Sequence, residues 1–215
     1  VLTNKLNYQS AIHFTVRNDT RAADFLYQQP VLTYQAYNNW PAGTGKSLYE
    51  FNSSGANTVT GFKRAAKVSF DRPTPGLFNT RDADFGFEFN LVYWLEQQGY
   101  DVAYSTDIDT HRNGARLLPF GAFFAAGHSE YWTREMYDAA ERARDAGVSL
   151  AFWGANAVYW QVRLEPSSTG APLRVLVGYK NAGVDPNPDP AGKTITWRDV
   201  GRPEQTLIGV QYTTD

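Results

Sequence analysis

The sequence predicts an α/β fold built on a three-layer, mostly parallel sheet. Segments with the apolar character of strands alternate along the chain with segments of helical period, which is the pattern of βαβ units. Two apolar runs of strand length, 121–126 and 148–153, are joined by one amphipathic helix from residue 133 to about 146. A connection of this kind predicts that the two runs are neighbouring parallel strands.

Composition is that of a globular chain with one sizeable core. The chain has 215 residues, of which 42% are hydrophobic, and its formal net charge is -2. Such a balance does not indicate a nucleic-acid partner, which would require a basic surface. No run of eighteen apolar residues is present, so no membrane span is predicted. The absence of cysteine excludes disulfides, thiolate catalysis and Cys-zinc sites, and leaves the compartment open.

The other regular elements follow from the same patterns. A helix is predicted at 84–98, where apolar residues recur at helical spacing and Gly99 ends the run. The segments predicted to be strands are 11–16, 23–32 with an interruption at Pro30, 66–70, 101–105, 173–179, 194–197 and 207–211.

Two long segments predict loops. Residues 33–51 have no clear period and are rich in Tyr, Asn and Gly, which favours a functional loop. Its GTGKS stretch lacks the first glycine of a phosphate-binding loop, because Trp40 stands there, so Gly43, Gly45 and Lys46 are interpreted as turn residues. Residues 181–192 alternate proline with polar residues and predict an exposed loop.

The chain changes character abruptly at Gly127, where an apolar run gives way to His128, Ser129 and Glu130. One interpretation is a helix entry, with Ser129 as the N-cap and Glu130 in the first turn. The other is a functional site at the carboxyl end of a strand, where α/β sheets place their ligands.

Polar clusters follow three of the predicted strands and should converge at one edge of the sheet. The candidate site residues at this edge are Tyr34, Tyr37, Asn38, Tyr49, His128, Ser129, Glu130 and Asn156.

A rival metal constellation is formed by Asp107, Asp109 and His111, since alternate residues of an extended segment point the same way. Their position directly after a strand favours a structural role instead. We expect these side chains to cap local backbone or to pair with neighbours such as Arg112.

Five motifs, in order, resemble the C-terminal domain of the large subunit of N,N-dimethylformamidase and its relatives, from about Phe14 to the end of the chain. The motifs are TYQAYNNWPAGTGKSLYEFN, AKVSFDRP, GYDVAYSTDIDTH, AAGHSEYW and GANAVYWQVR. The resemblance implies a fold like the class I glutamine amidotransferases, of the flavodoxin-like type. Those enzymes carry a cysteine at the strand-to-helix turn, and residues 127–132 contain none.

The resemblance also implies a mononuclear iron, expected to be ferric, held by two tyrosines and one glutamate. The glutamate corresponds to Glu130, and the tyrosines to Tyr37 and Tyr49, with Tyr34 as the alternative to Tyr37. His128 and Asn156 would position substrate or water. Hard anionic oxygen ligands suit such an ion, and three protein ligands leave positions open.

The implied activity is hydrolysis of the C–N bond of a small amide by a metal-dependent enzyme. Two alternatives remain open: a metal-free hydrolase with Ser129 as nucleophile, and a non-catalytic, aromatic-lined domain that binds carbohydrate or another small molecule. Expected partners are the amide substrate and either a second copy or a small subunit. Members of the family continue beyond this chain's end, so we expect residues 1–215 to be one domain truncated at its C-terminal end.

Overall fold

The structure, a computed structural model, describes residues 2–7, 9–10, 14–58, 61–74 and 88–213. The strands of this part of the chain are β1 (Leu2–Thr3), β2 (Gln9–Ser10), β3 (Phe25–Gln29), β4 (Lys67–Ser69), β5 (Val102–Thr106), β6 (Ala122–Ala126), β7 (Tyr131–Thr133), β8 (Ser149–Trp153), β9 (Trp160–Glu165) and β10 (Val175–Val177). Its α-helices are α1 (Val31–Tyr37), α2 (Phe89–Gln97), α3 (Asp107–Arg112), α4 (Arg134–Asp145) and α5 (Gln205–Ile208).

A four-stranded parallel sheet with the order β5-β3-β6-β8 is the centre of the fold. Strands β6 and β8 are neighbours, and Ala122 pairs with Ser149 at the start of their ladder. This confirms the predicted adjacency of the two apolar runs. All five residues of β6 are buried, as expected for a central strand with both faces covered.

Helices cover both faces of the parallel sheet. Successive side chains of a strand point to opposite sides, so each central strand contributes to two apolar clusters. Leu26 and Phe123 pack on one face in the cluster that contains Met136 of α4. Tyr27 and Phe124, the next residues along the same strands, pack on the other face with α2. The predicted helix–sheet–helix layering is therefore present.

A second sheet, which the sequence did not predict, has the order β4-β10-β9-β7. Its pairings are antiparallel except for that of β7 with β9. The chain enters this sheet directly after leaving the parallel one, since only residues 127–130 separate β6 from β7. The expectation of one mostly parallel sheet is thus wrong for strands β4, β9 and β10.

The predicted helix after Gly127 is α4, but the proposed cap is wrong. The N-cap is Thr133, whose side chain accepts a hydrogen bond from the backbone N–H of Met136. Ser129 precedes β7 and lies four residues before the N-cap. Gly127 adopts a left-handed φ of +70°, which explains the glycine at the turn after β6.

The expected loop at 33–51 is wrong for its first part, because α1 extends to Tyr37. Leu32 and Ala36 lie one turn apart and are fully buried in the core. Pro30 directly precedes the helix, where its missing N–H breaks no helical hydrogen bond. Residues 38–58 contain no helix or strand, and Gly43, with a φ of +85°, serves a turn as expected.

Other boundaries differ locally. The strand predicted at 207–211 is wrong, because helix α5 covers its first two residues and Gly209 ends that helix at a φ of +79°. Residues 11–13 and 84–87 of the predicted first strand and helix lie outside the described residues, and 14–16 form no strand.

The proline-rich loop at 181–192 is anchored rather than fully exposed, because buried Asp185 pairs with Arg163 at 2.8 Å. No helix of the described residues is long and apolar enough to cross a membrane.

Candidate functional site

Glu130 is the centre of the site and lies in the turn between the two sheets. Its side chain is buried, and its Oε2 accepts a hydrogen bond of 2.8 Å from the hydroxyl of Tyr37. Its backbone N–H donates to Thr33 Oγ1 at 3.1 Å. Helix α1 and the turn after β6 are therefore joined by two contacts, one of them between predicted site residues.

Tyr49 packs against Tyr37 from the loop that follows α1. The two ring centroids are 4.9 Å apart with an interplanar angle of 43°. The Tyr49 backbone is fixed by its N–H, which donates to Ser47 Oγ at 2.9 Å. A further phenol, Tyr131, belongs to the same group. Burial raises the Tyr131 pKa well above its usual value, and the charges of Glu130, Tyr37 and Tyr49 add to this effect.

Tyr34 belongs to a different polar cluster. Its hydroxyl is hydrogen-bonded to Gln29, and burial together with the carboxylate of Glu88 raises its pKa. Of the two tyrosines that the sequence left open, Tyr37 is the one whose hydroxyl contacts Glu130.

His128 extends the cluster toward solvent. Its Nε2 lies 3.4 Å from Glu130 Oε2, and its ring centroid lies 5.9 Å from that of Tyr37. The His128 side chain is 29% exposed, whereas that of Glu130 is only 6% exposed. A molecule approaching Glu130 from this side would therefore meet the imidazole.

Asn156 lies in a turn that packs beside residues 127–130. Val158 N–H donates to the Ser129 carbonyl oxygen at 2.9 Å, and Gly127 N–H donates to the Trp153 carbonyl oxygen at 3.0 Å. Asn156 and Val158 both have a left-handed φ of +53°, which is rare for a β-branched residue. Asn156 Oδ1 is buried and accepts no hydrogen bond from the described residues.

Two predicted residues have structural roles. Asn38 is buried and donates through Nδ2 to Gln35 Oε1 at 3.1 Å and to the Pro73 carbonyl oxygen at 3.0 Å. Ser129 is 2% exposed, and its Oγ accepts a hydrogen bond of 3.0 Å from the Trp132 indole. This environment does not favour Ser129 as a nucleophile, which needs an adjacent base and access to substrate.

Lys180 is a member of the site that the sequence analysis missed. Its Nζ donates to Tyr131 Oη at 2.6 Å and lies 4.7 Å from the ring centroid of Trp160. Burial lowers the Lys180 pKa to about 8, although the Glu130 charge acts in the opposite direction. Lys180 has a φ of +54° and directly follows a predicted strand, so the reasoning applied to the other strand ends would have identified it.

The Lys180 pKa predicts a specific dependence of stability on pH. In metal-free protein, the free energy of unfolding should rise by about 2–3 kcal/mol between pH 8 and 10.5, relative to Lys180→Met. In this window the unfolded chain, with the ordinary lysine pKa, binds a proton that the folded protein does not. Below pH 8 both states are protonated, and the cost of burying the charge is fully present. Urea unfolding of both proteins at pH 7, 8.5 and 10 measures the difference; parallel curves would contradict a buried amine.

The rival constellation is built into local structure, as predicted. Thr106 and Asp109 form a capping box at the start of α3, and Asp107 Oδ2 accepts a hydrogen bond of 2.9 Å from Leu32 N–H. His111 Nδ1 lies 2.9 Å from Thr133 Oγ1. Asp109 also forms an ion pair with Arg17. No cluster of three His, Cys, Asp or Glu side chains in the described residues could hold a metal ion.

Removal of the capping box should have a moderate cost. We expect Thr106→Ala to lower the free energy of unfolding by about 1 kcal/mol, because it removes the acceptor for Asp109 N–H. Chemical unfolding measures this change. Thr106→Ala combined with Asp109→Ala should lose less than the sum of the single variants, since each removes the same contact. If the losses of the two single variants add fully in the double variant, the capping box does not form in solution.

Comparison with known proteins gives two matches. The family model described as "N,N-dimethylformamidase beta subunit-like, C-terminal" matches residues 1–215. The N,N-dimethylformamidase beta subunit of Paracoccus aminophilus is 30% identical over 80 residues, which are 37% of this chain and 10% of that protein. The aligned stretch thus spans about a tenth of the length of this relative.

Proposed function

Because the chain belongs to the N,N-dimethylformamidase beta subunit-like, C-terminal family, we propose that it contributes the metal-binding part of a hydrolase that cleaves the C–N bond of a small amide. The observation that carries this proposal is the hydrogen bond from Tyr37 to the buried carboxylate of Glu130. A buried carboxylate that contacts a phenol and an imidazole offers groups suited to metal binding or proton transfer.

The donor set fits iron. Tyr37, Tyr49 and Glu130 would supply two phenol oxygens and one carboxylate, which are hard ligands suited to a hard, highly charged cation. The Tyr37 hydroxyl donates a hydrogen bond of 2.8 Å to Glu130 Oε2, so two of the three donor groups already lie side by side. When bound, the ion would polarise the amide carbonyl and lower the pKa of a coordinated water.

The neighbouring residues have complementary roles in this proposal. His128, partly exposed beside Glu130, would orient the substrate. Asn156 Oδ1, which accepts no hydrogen bond from the described residues, would accept one from an amide N–H or from water. Lys180, whose pKa is about 8, can hold or release a proton near neutral pH, and its amine would supply a proton to the departing nitrogen.

The proposal also covers the type of sheet and the partner of the chain. The parallel strand order β5-β3-β6-β8 corresponds to 2-1-3-4 in order of appearance, which supports a flavodoxin-like sheet related to the class I glutamine amidotransferases. We take residues 1–215 as one domain. The beta-subunit-like description of the family supports association with a small subunit or with a second copy.

Metal analysis and product detection test the proposal together. We expect the purified protein to contain about one iron per chain and to release dimethylamine and formate from N,N-dimethylformamide. Chelation should abolish both. Protein that contains no iron, does not hydrolyse the amide and yet binds small sugars would instead support the binding-domain alternative. Labelling of Ser129 by a fluorophosphonate would support a serine hydrolase.

A further inference from the structure

A cavity of about 340 Å³ lies at the carboxyl ends of β6 and β8, outside the cluster around Glu130. Leu91 of α2 forms one wall. The turns that follow the two strands form the others, from 126–128 and 153–155. The cavity therefore opens at the edge of the parallel sheet where ligands of α/β proteins bind.

The lining is apolar except for His128. Its largest side chain is Trp153, which stacks on Phe124 with ring centroids 5.0 Å apart and an interplanar angle of 25°. Trp153 is nonetheless 50% exposed. Since Phe124 covers one face of the indole, the opposite face is available to a planar group.

His128 connects the cavity to the site. It lines the cavity, and its Nε2 is 3.4 Å from Glu130 Oε2. A substrate whose amide group is bound beside Glu130 and His128 would therefore direct one substituent toward Trp153. The methyl groups of dimethylformamide would leave most of this volume unfilled, whereas a cavity of about 150 Å³ is already enough to hold benzene in another protein.

We propose that the cavity receives a planar apolar substituent of the substrate, so that the preferred substrates are amides carrying one aromatic ring, with Trp153 as the residue that determines this specificity. The inference rests on the proposed hydrolase function for its catalytic consequence. Binding of the ring itself follows from the cavity alone, so the two can be tested separately.

Benzamide and acetamide are a matched pair of probes, because they share the primary amide and differ only in the group on its carbonyl carbon, phenyl in one and methyl in the other. Isothermal titration calorimetry on the purified chain should give at least tenfold tighter binding for benzamide than for acetamide. Trp153→Ala should reduce this preference about tenfold, because the stacking surface is lost. Trp153→Phe should restore most of it, since a planar ring is returned to the same place.

A matched control is Trp94→Ala. Trp94 is 46% exposed, packs against Tyr100 with ring centroids 5.4 Å apart, and does not line the cavity. The preference for benzamide should be unchanged in this variant. A thermal melt of each variant shows whether it remains folded.

The outcomes separate the two ideas. If benzamide is bound through Trp153 but no amide is hydrolysed, the cavity assignment stands and the proposed hydrolase function fails. Equal binding of benzamide and acetamide by the wild type would overturn the assignment. So would a Trp153→Ala variant that is folded and retains the full preference. A Trp94→Ala variant that loses the preference would also overturn it, because the ring would then be bound elsewhere.

Discussion

Glu130→Gln is expected to eliminate bound iron and to lower amide hydrolysis more than about a hundredfold. A neutral amide is a poor ligand for a hard cation, and the loss of a direct ligand should exceed the 10–100-fold effects of indirect contacts. Folding should be affected little, because the glutamine oxygen can still accept the hydrogen bond that Tyr37 donates at 2.8 Å. Metal content, the free energy of unfolding and the rate of amine release measure the three quantities.

Tyr37→Phe should also weaken iron binding, as Glu130→Gln does. Its effect can be followed in addition by visible absorption. Phenolate bound to ferric iron absorbs visible light, so this variant, like Tyr49→Phe, should weaken the visible band, while phenylalanine preserves the packing of the ring. Tyr34→Phe is the matched control. It makes the same change one helical turn earlier, where the hydroxyl contacts Gln29 and Glu88 rather than Glu130. Retention of iron in Tyr37→Phe and its loss in Tyr34→Phe would reverse the assignment.

Gly154→Ala is expected to destabilise the protein by about 3 kcal/mol or more. A Cβ at this position would lie 1.7 Å from the carbonyl oxygen of Gly127. Because the obstacle is backbone, no side-chain rotation can relieve the contact, and the two turns must separate. Chemical unfolding measures the loss. Residues 127–130 would move with the turn, so iron binding should weaken in the fraction that remains folded.

Gly183→Ala is the control for this substitution. Gly183 lies in an exposed loop, its φ is not left-handed, and its Cβ would be 3.3 Å from the Asn181 side chain, which can move. We expect a change within about 1 kcal/mol. A Gly154→Ala protein as stable as Gly183→Ala would mean that the two turns are not in close contact in solution.

The parallel core could be predicted because its signals are long and local. The strands β6 and β8 are apolar runs, and α4 between them has a clear helical period over twelve residues. Strand β7 could not be found in this way. It has three residues, too few to show a period of two, and its partner β9 begins at Trp160, 29 residues later. Pairings of that kind are decided by tertiary packing rather than by local pattern.

The site was predicted less completely than the parallel core. Convergence of strand ends brought together Tyr37, His128 and Glu130. It also selected Asn38, which binds the Pro73 carbonyl oxygen, and Ser129, which binds the Trp132 indole. Sequence pattern alone does not distinguish these roles, because a buried polar residue satisfies its hydrogen bonds in either case. The correspondence to iron ligands came from family resemblance.

Lys180 was missed because the rule about strand ends was applied to three predicted strands only. Lys180 follows another strand, β10, which pairs antiparallel on both sides. The two sheets meet at Glu130, so residues from the end of a strand in the second sheet reach the same site.

Asn156, Val158 and Lys180 have a left-handed backbone. At these positions, the substitution that would raise thermal stability would also remove side chains from the candidate site. Each of these residues would be less strained as glycine, by roughly 1 kcal/mol or more. Selection for thermal tolerance alone would therefore drive glycine into these positions and would discard the amide and the amine that face the site. Stabilising substitutions for this protein should therefore be sought elsewhere in the chain, because the strained residues lie at the candidate site.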